Sequence, residues 1–304
     1  MARPALAASR AMDVLNFLAA SPSEAFSLSE LVQHLGLNFA SCHALLTAMT
    51  REGFLERHPK HKTYSLGPAL VAIGHAALEA HPAIDIVRDE ARDLANELDL
   101  EVLVTARTGG DLIAIARAGR YVAPNASLRV GQRIPLIPPL GAQFMAWAPQ
   151  DQVERWLAEE PEEVRPRHRE ILAAVRERGY IVTMQTPLQS RLGEVVANLS
   201  LTPHCDELRH AMTGLITELG HNVYHLEHLE RSQHYKVGLM SAPVFNPHGD
   251  VAYTLSLLGF AEPLGADGIE EYAAKLVARC MIATRKSNGR MPFAVTEDTM
   301  RMSG

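Results

Sequence analysis

The sequence predicts an α+β protein: an N-terminal winged helix-turn-helix of three helices plus a wing hairpin, a connecting helix, and a C-terminal mixed α/β domain. Two observations predict the first part. A turn at Gly36 separates two short amphipathic segments, and a strand-tip-strand pattern follows over 54–67. The second part is predicted because, from residue 101, alternating strand-like spacing is interspersed with helical spacing.

The three N-terminal helices are predicted from apolar spacing and end signals. Residues 9–20 place apolar side chains at helical intervals. Residues 27–36 open with Ser27 and have Glu30 three positions later, which is a capping-box pattern, and they end at a glycine. Asn38 is well placed to cap the third helix, which is expected to run to the glycine before the wing.

The wing and the segment after it complete the first part. Residues 58–62 form the predicted wing tip and carry two lysines. Residues 68–80 are mostly apolar and begin at Pro68, which suits a first helical turn. We expect this segment to be a connecting helix that also contributes to dimerisation.

The second domain is predicted as hairpins alternating with helices. The expected elements are a helix from Pro82, a hairpin over 101–119 around Gly109-Gly110, helices near 140–178, a strand over 180–184, a hairpin over 235–260 and a final helix near 266–286. The domain bounds that follow are 1–66 for the winged helix, 67–81 for the connecting helix, 82–290 for the second domain with a helical insertion at about 190–234, and 291–304 for a loose tail.

Composition limits the class of protein. The 304 residues carry a net charge of −6, which does not suggest nucleic-acid binding, but residues 1–67 carry +1 and the remainder −7. No apolar run is long enough to span a bilayer, and the N-terminus lacks a signal-like apolar core, so a cytoplasmic protein is expected. Three widely spaced cysteines argue against a disulfide framework, and no hydrolase, P-loop, dinucleotide or HExxH motif predicts an enzyme or a cofactor.

Several stretches occur in an order and spacing that point to one family. They are SRAMDVL, FSLSELVQHLGL, REGFLER, YSLGPAL, LRVGQRIPL, REILAAVRERGYIV and APVFNPHGDVAYTLSLLG. In this order the chain resembles the IclR family of bacterial transcription regulators, across nearly its whole length. The resemblance implies a GAF-like C-terminal domain that binds a small molecule, often an organic acid. It also implies a dimer or tetramer that binds near-palindromic operators in double-stranded DNA.

The recognition helix departs from that family because 37–50 contain no Lys or Arg. We therefore expect neutral side chains and the helix N-terminus to contact bases and phosphates, while cations come from outside the helix. The predicted DNA contacts are Arg10, Ser27, Asn38, Phe39, Ala40, Ser41, Cys42, His43, Arg51, Lys60, His61 and Lys62. The alternative is a protein-binding or dimerisation module, in which Phe39, Cys42 and Leu46 form a face that a partner buries.

The resemblance also implies an effector pocket. Its matching positions are Ala123, Ala126, Ile134, Leu140, Gly141, Ala142, Thr183, Val237 and Leu239. Family members that bind small acids have an Asp where this chain has Thr183 and a Cys where it has Leu239. These replacements predict a larger and more hydrophobic effector, such as an aromatic or alicyclic carboxylate or amide. The alternative is that these side chains are ordinary core and the pocket is closed.

A histidine-rich stretch over 203–235 lies where the family usually has a short link. An apolar stripe predicts one long helix that packs on the second domain or on another subunit; it comprises Leu208, Met212, Leu215, Leu219, Val223, Leu226 and Leu229. His210, His221, His225 and His228 are expected on the opposite side. His221, His225 and His228 are weak candidate metal ligands, and a solvated polar face is the simpler interpretation. A metal- or pH-responsive assembly protein without DNA binding is the alternative function.

Overall fold

The computed structural model describes residues 5–120, 128–202, 205–221, 225–226 and 228–292. The chain divides into two compact units. The first runs up to His81 and includes 195–210, and the second runs from Pro82 and holds the remaining residues. The boundary places parts of two helices, described below, in each unit.

The described residues form the following helices and strands. The helices are α1 (Leu6–Ala20), α2 (Leu28–Leu35), α3 (Phe39–Arg51), α4 (Ala69–Ala80), α5 (Ala83–Leu98), α6 (Ala142–Met145), α7 (Gln150–Leu157), α8 (Arg165–Arg178), α9 (Pro187–Leu201), α10 (Asp206–His221) and α11 (Ala266–Lys286). The strands are β1 (Phe26–Ser27), β2 (Leu55–Arg57), β3 (Thr63–Leu66), β4 (Glu101–Thr108), β5 (Asp111–Ala118), β6 (Arg133–Pro135), β7 (Ile181–Met184), β8 (His234–Tyr235), β9 (Val237–Phe245), β10 (Val251–Leu258) and β11 (Leu264–Gly265).

The first unit is the predicted winged helix-turn-helix. Helices α1, α2 and α3 surround a core that includes Phe17, Leu31 and Leu46. Strands β2 and β3 form the wing hairpin, and β1 joins them in a three-stranded sheet of order β1-β3-β2. Burial of these apolar side chains fixes α2 and α3 against α1, so the turn between them is held by packing as well as by its caps.

The second unit is built on a six-stranded antiparallel sheet of order β6-β5-β4-β10-β9-β7. Helices α5 and α11 cover one face, where their apolar side chains share a core with strand residues such as Val102, Met240 and Leu257. Helices α6, α7 and α8 form a second core that includes Leu112 of β5 and Ile181 of β7. Because side chains alternate along a strand, the sheet presents a different set of residues to each core.

The predicted long helix over 203–235 is wrong. Helix α10 ends at His221, and His225 instead forms an isolated β-bridge with Thr183. Leu215 and Leu219 of the predicted stripe are buried along α10, whereas Leu226 is buried in the core under α5 and α11. The spacing misled because a helical stripe and a short pairing with a sheet edge can both place apolar residues three apart. Val223 lies outside the described residues.

Two helices have exposures that matter for function. Helix α4, which the sequence predicted as a connecting helix, has no buried residue in this chain, and Val71 on it is 75% exposed. Among the described residues, no single helix is long and apolar enough to cross a membrane, although the sharply bent pair α4 and α5 passes that test when taken together. In α5 this composition reflects an apolar stripe that packs on the sheet.

Candidate DNA interface and effector site

The turn between α2 and α3 is fixed by hydrogen bonds at the helix ends. The Ser27 hydroxyl accepts from the Glu30 N–H, and the Glu30 carboxylate accepts from the Ser27 N–H, which completes the predicted capping box. Gly36 ends α2 with φ of 60°, a left-handed conformation that favours glycine. The Asn38 side-chain oxygen then accepts from the Ser41 N–H at 2.8 Å and caps α3. The N-terminus of α3 is therefore held in one orientation.

The solvent-facing side of α3 is almost uncharged. Phe39 is 58% exposed, and the exposed positions continue along one side of the helix at intervals of three and four residues. These positions, which we call the recognition face, are Phe39, Ala40, His43, Ala44, Thr47, Ala48 and Arg51. Ala44, Thr47 and Ala48 were not predicted, although extending the i, i+4 pattern from His43 would have found Thr47.

Two residues that were predicted as DNA contacts, Cys42 and Ser41, are not exposed on the recognition face. Cys42 is fully buried in the core of the first unit, so its prediction as a DNA contact is wrong. Its side chain points inward because it lies one turn from Leu46 on the apolar side of α3. Ser41 is half-buried. The alternative prediction placed Phe39, Cys42 and Leu46 on one face that a partner protein buries. They do not share a face, because Phe39 is exposed to solvent while Cys42 and Leu46 are buried within the chain.

Apart from Arg51 at its C-terminal end, the recognition face has no cation, and the other predicted cations lie on α1 and on the wing. Lys60 and Lys62 are exposed at the wing tip, and Arg10 is half-buried on α1. Arg51 forms a 2.9 Å ion pair with Glu52, and both side chains are exposed, so the pair adds little stability. The predicted sources of positive charge are therefore accessible.

The wing tip is ordered by a histidine. The Nδ1 atom of His58 accepts from the N–H groups of Lys60 and His61 at 3.2 and 3.1 Å. The rings of His58 and His61 lie with centroids 4.6 Å apart. Lys62 has φ of 59°, which closes the turn back into β3. These contacts hold the lysines on a defined hairpin tip.

In the second unit, two of the predicted effector residues, Thr183 and Leu239, lie on the sheet face opposite α5 and α11. Thr183 pairs directly with Leu239 across β7 and β9. Further along the same face are two buried hydroxyl pairs. Thr105 and Thr254 lie 2.6 Å apart, and the Ser256 hydroxyl donates to Ser241 at 2.9 Å. Each of these buried hydroxyl groups has a hydrogen-bond partner, and none of them carries a charge.

The loop before α6 carries three more predicted effector residues. Leu140, Gly141 and Ala142 are buried there, and the Trp156 indole N–H donates to the Leu140 carbonyl at 3.2 Å. Gly141 has φ of 83°, a left-handed conformation that favours glycine, and a Cβ at this position would displace the Leu136 side chain. Ile134 lies on β6 and packs against the core under α6, α7 and α8.

Val237 is not brought together with the other predicted effector residues. It packs under α5 and α11, whereas Leu239 packs on the opposite face of the sheet with Leu103 and Leu258. The separation arises at a register shift, since Thr183 pairs with Leu239 but Met184 pairs with Val237. The strand alternation breaks at this bulge. Ala123 and Ala126 lie outside the described residues.

The weak metal candidates do not form a cluster. His221 is exposed at the end of α10, where its Nδ1–H donates to the Thr217 carbonyl. His225 is buried near the sheet, and His228 is exposed. Since α10 ends before His225, the assumed helical spacing does not apply. Within the residues that the structure describes, no group of three or more His, Cys, Asp or Glu is arranged to hold a metal.

The structure reveals His225 as a residue of the sheet face. It pairs with Thr183, and its Nε2 atom lies 3.2 Å from the Pro139 carbonyl oxygen. Burial lowers the pKa of His225 to about 3, so the ring is neutral near pH 7. No sequence pattern could have found this pairing, because it joins two segments far apart in the chain.

Two buried titratable groups lie between α7, α8 and α10. His168 is 2% exposed, packs edge-on against Trp156, and has no hydrogen-bond partner on either ring nitrogen among the described residues. Burial lowers its pKa to about 4. Glu160 is buried against Gly220, and burial raises the pKa of its carboxyl group.

These features define a class: a winged helix-turn-helix protein with a second unit built on an antiparallel sheet. Residues 7–59 match the family described as the IclR helix-turn-helix domain. The chain is 25% identical over 149 residues to the HTH-type transcriptional regulator KipR of Bacillus subtilis, covering 49% of this chain and 58% of KipR. It is 26% identical over 182 residues to the transcriptional repressor IclR of Escherichia coli, covering 56% of this chain and 66% of IclR. The matches thus span somewhat less than two thirds of these relatives.

Solved structures share the fold over almost the whole chain. An IclR transcriptional regulator from Alicyclobacillus acidocaldarius has a TM-score of 0.64 at 20% identity, covering 94% of this chain and 100% of that one. An IclR homologue from Microbacterium hydrocarbonoxydans, solved in complex with 4-hydroxybenzoate, has a TM-score of 0.60 at 15% identity, covering 92% and 98%. Residues 7–59 therefore carry an IclR-type helix-turn-helix domain, and the chain as a whole shares the fold of IclR-type regulators. The predicted winged helix-turn-helix of a DNA-binding regulator agrees with this domain match.

Proposed function

We propose that this protein is a ligand-responsive transcriptional regulator that binds a near-palindromic operator in double-stranded DNA. The observation that carries the proposal is the recognition face: α3 is capped at Asn38 and leaves Phe39, Ala40 and His43 exposed on a rigid scaffold. Apolar and imidazole groups at the start of a recognition helix suit thymine methyl groups and base edges in the major groove. Direct base contacts need no cation on the helix itself.

Phosphate contacts are assigned to groups around α3. Lys60 and Lys62 are exposed on the ordered wing tip, and Arg10 is partly exposed on α1. The N-terminal N–H groups of α3 add a partial positive charge. A regulator of this kind acts where chromosomal DNA is, so a cytoplasmic location belongs to the same proposal.

Two copies of the chain are proposed to bind the two halves of the operator, as a dimer or as part of a tetramer. The support is α4, an apolar helix with no buried residue, on which Val71 is 75% and Ile73 is 50% exposed. An exposed apolar helix face of this kind suits a symmetric contact with a second copy. The predicted domain bounds, with 67–81 as the connecting helix, belong to this proposal.

The effector is proposed to be a hydrophobic or aromatic organic metabolite that binds the sheet face around Thr183 and Leu239. The support is the neutrality of that face, where the hydroxyl pairs are already hydrogen-bonded to each other. The complex of a structural relative with 4-hydroxybenzoate is consistent with an aromatic acid or phenol. No observation favours the alternative of a histidine-dependent assembly protein.

Fluorescence anisotropy tests the proposal. Purified full-length protein is titrated against a labelled duplex from upstream of its own gene and against an unrelated duplex of equal length. We expect tighter binding to the first duplex, and a change in that affinity when an effector from a panel of aromatic acids is added. Equal, weak binding to both duplexes at every salt concentration would contradict DNA recognition by this chain at that site.

A matched pair of variants separates the interface from general charge. Lys62→Gln removes an exposed wing-tip cation, and Lys236→Gln removes an exposed cation of the second unit. Both substitutions change the net charge equally, but only Lys62 lies at the proposed DNA interface. We therefore expect only Lys62→Gln to weaken binding to the specific duplex. Equal effects would indicate that DNA is held by overall charge.

A further inference from the structure

His225 and Leu226, which we call the strap, lie along the edge of β7. Thr183 and His225 form an antiparallel bridge, and the Leu226 N–H donates to the Val182 carbonyl at 3.0 Å. The Arg178 guanidinium also donates to the Leu226 carbonyl at 3.2 Å. Both strap residues are thus joined to β7 through backbone contacts.

Strand alternation sends the two strap side chains to opposite faces of the sheet. Leu226 packs in the core under α5 and α11, together with Val182. His225 is paired with Thr183, and residues paired across an antiparallel bridge project to the same side. The His225 ring is therefore on the face that carries the proposed effector site, and it is 4% exposed.

The hydrogen bond between His225 and Pro139 shows which ring nitrogen of His225 carries the hydrogen. The Pro139 carbonyl oxygen can only accept, so Nε2 of His225 carries the hydrogen and donates to it at 3.2 Å. Burial lowers the pKa of His225 to about 3, which keeps the ring neutral. The position between Thr183 and Pro139 thus holds an uncharged planar ring with one N–H donor.

The ring lies between a neutral hydroxyl on one side and a crevice that includes the Arg178 guanidinium on the other, and the charge of Arg167 also acts on it. The Thr183 hydroxyl accepts from the Gln189 side-chain amide at 3.3 Å, so it is already engaged. A crevice between the strap and α8 is lined by Ile171, Val175, Arg178 and Tyr180 together with the strap. This crevice borders the strap on the side of α8.

We propose that the His225 ring is an internal occupant of a binding niche between Thr183 and Pro139, and that neutral planar rings with one N–H or O–H donor, such as azoles and phenols, displace it. The incoming donor takes over the hydrogen bond to the Pro139 carbonyl, and the strap leaves the edge of β7. This inference rests on the proposed function, because it assigns a residue and a ligand class to the same effector face.

Chemical rescue of full-length His225→Ala tests the niche. Truncating the ring leaves a space and an unsatisfied carbonyl, so the thermal midpoint should fall by several degrees. Millimolar imidazole or phenol at a pH where both are neutral should restore it saturably. 1-Methylimidazole has a similar ring but no N–H, and it should restore much less. The matched control His228→Ala removes an exposed histidine close in sequence and should respond to none of the three.

Two further measurements keep the proposal decidable if His225→Ala does not fold. His225→Gln retains an amide donor and should be nearly as stable as the wild type, with no rescue by imidazole. In the wild type, saturating phenol should speed hydrogen–deuterium exchange of the Leu226 amide, because its bond to Val182 is lost with the strap. Unchanged or slower exchange, or equal rescue by imidazole and 1-methylimidazole, would overturn the niche. Neither the thermal midpoint nor the exchange rate depends on DNA. If imidazole rescues His225→Ala but the protein does not bind the operator duplex, the niche is supported and the proposed regulator function is rejected.

Discussion

The recognition face and the niche are both nearly uncharged, yet they differ in exposure. Phe39 on α3 is 58% exposed, whereas Thr183 and His225 on the sheet face are 3% and 4% exposed. The recognition face is fixed by capped helix ends and needs no rearrangement to meet a partner. The niche is filled by the chain's own imidazole, so a ligand must displace it. The recognition face can therefore bind DNA without a change of conformation, whereas a ligand can enter the niche only by displacing the strap.

The largest expected effect concerns the buried histidines of the second unit. Because the pKa of His168 is lowered from 6.5 to about 4, the unfolded chain binds this proton at higher pH than the folded chain does. Stability should therefore fall as the pH drops from about 6.5 towards 4, by on the order of 3 kcal/mol. His225 acts in the same direction, while the raised pKa of Glu160 opposes it.

Urea midpoints between pH 4 and 7 measure this effect. The fluorescence of Trp156, which contacts His168, is followed in a Trp147→Phe background. His168→Phe should flatten the pH dependence, whereas His248→Phe, which replaces an exposed histidine, should leave it unchanged. An unchanged slope in His168→Phe would show that another group causes the acid sensitivity.

The next effect sharpens the role of the recognition face. Phe39→Ala removes its most exposed large apolar group and should weaken specific DNA binding by about 10- to 100-fold. The salt dependence should stay the same, because no phosphate contact is lost. Val130→Ala, which truncates an exposed apolar residue of the second unit, is the control. Wild-type affinity in Phe39→Ala would exclude Phe39 from the interface.

A smaller effect tests the cap that fixes this surface. Asn38→Ala removes the hydrogen bond to the Ser41 N–H and should cost about 1 kcal/mol of stability. Asn16→Ala, at an exposed position on α1, should be close to neutral. Chemical denaturation of the two variants compares them. If both lose the same stability, the cap does not hold α3 as described.

The smallest effect on affinity comes from the wing lysines. Lys60→Gln and Lys62→Gln each remove one exposed cation per chain. In a dimer, each should make the slope of log affinity against log salt shallower by about 2. Binding isotherms at several salt concentrations give this slope. A slope that does not change for either variant would remove the wing from the DNA interface.

Local sequence signals predicted the first unit because its helix ends are encoded within a few residues. Ser27 with Glu30, Gly36 and Asn38 each act on neighbouring backbone groups, and the structure places a cap or turn at each. The final helix also runs over 266–286 as expected. Cys42 failed only because its side of the helix was misjudged: it lies on the apolar side with Leu46.

The effector face was predicted less completely because it depends on pairings between distant segments. Val237 was separated from Leu239 by a register shift, which no spacing rule reveals. His225 was assigned to a helix because apolar residues around it fit a helical stripe, whereas burial of Leu226 in the sheet core decided its conformation. Tertiary packing overrode the local pattern at that point.

The salt dependence of binding to the operator duplex tests the central claim, recognition by a nearly cation-free helix. If Arg10, Lys60 and Lys62 of two chains supply the phosphate contacts, the slope of log affinity against log salt should be about −5. The preference for the operator over an unrelated duplex should persist as salt is raised, because base contacts produce it. A slope near −10, or a preference that disappears with salt, would show that charge rather than the face of α3 holds the DNA.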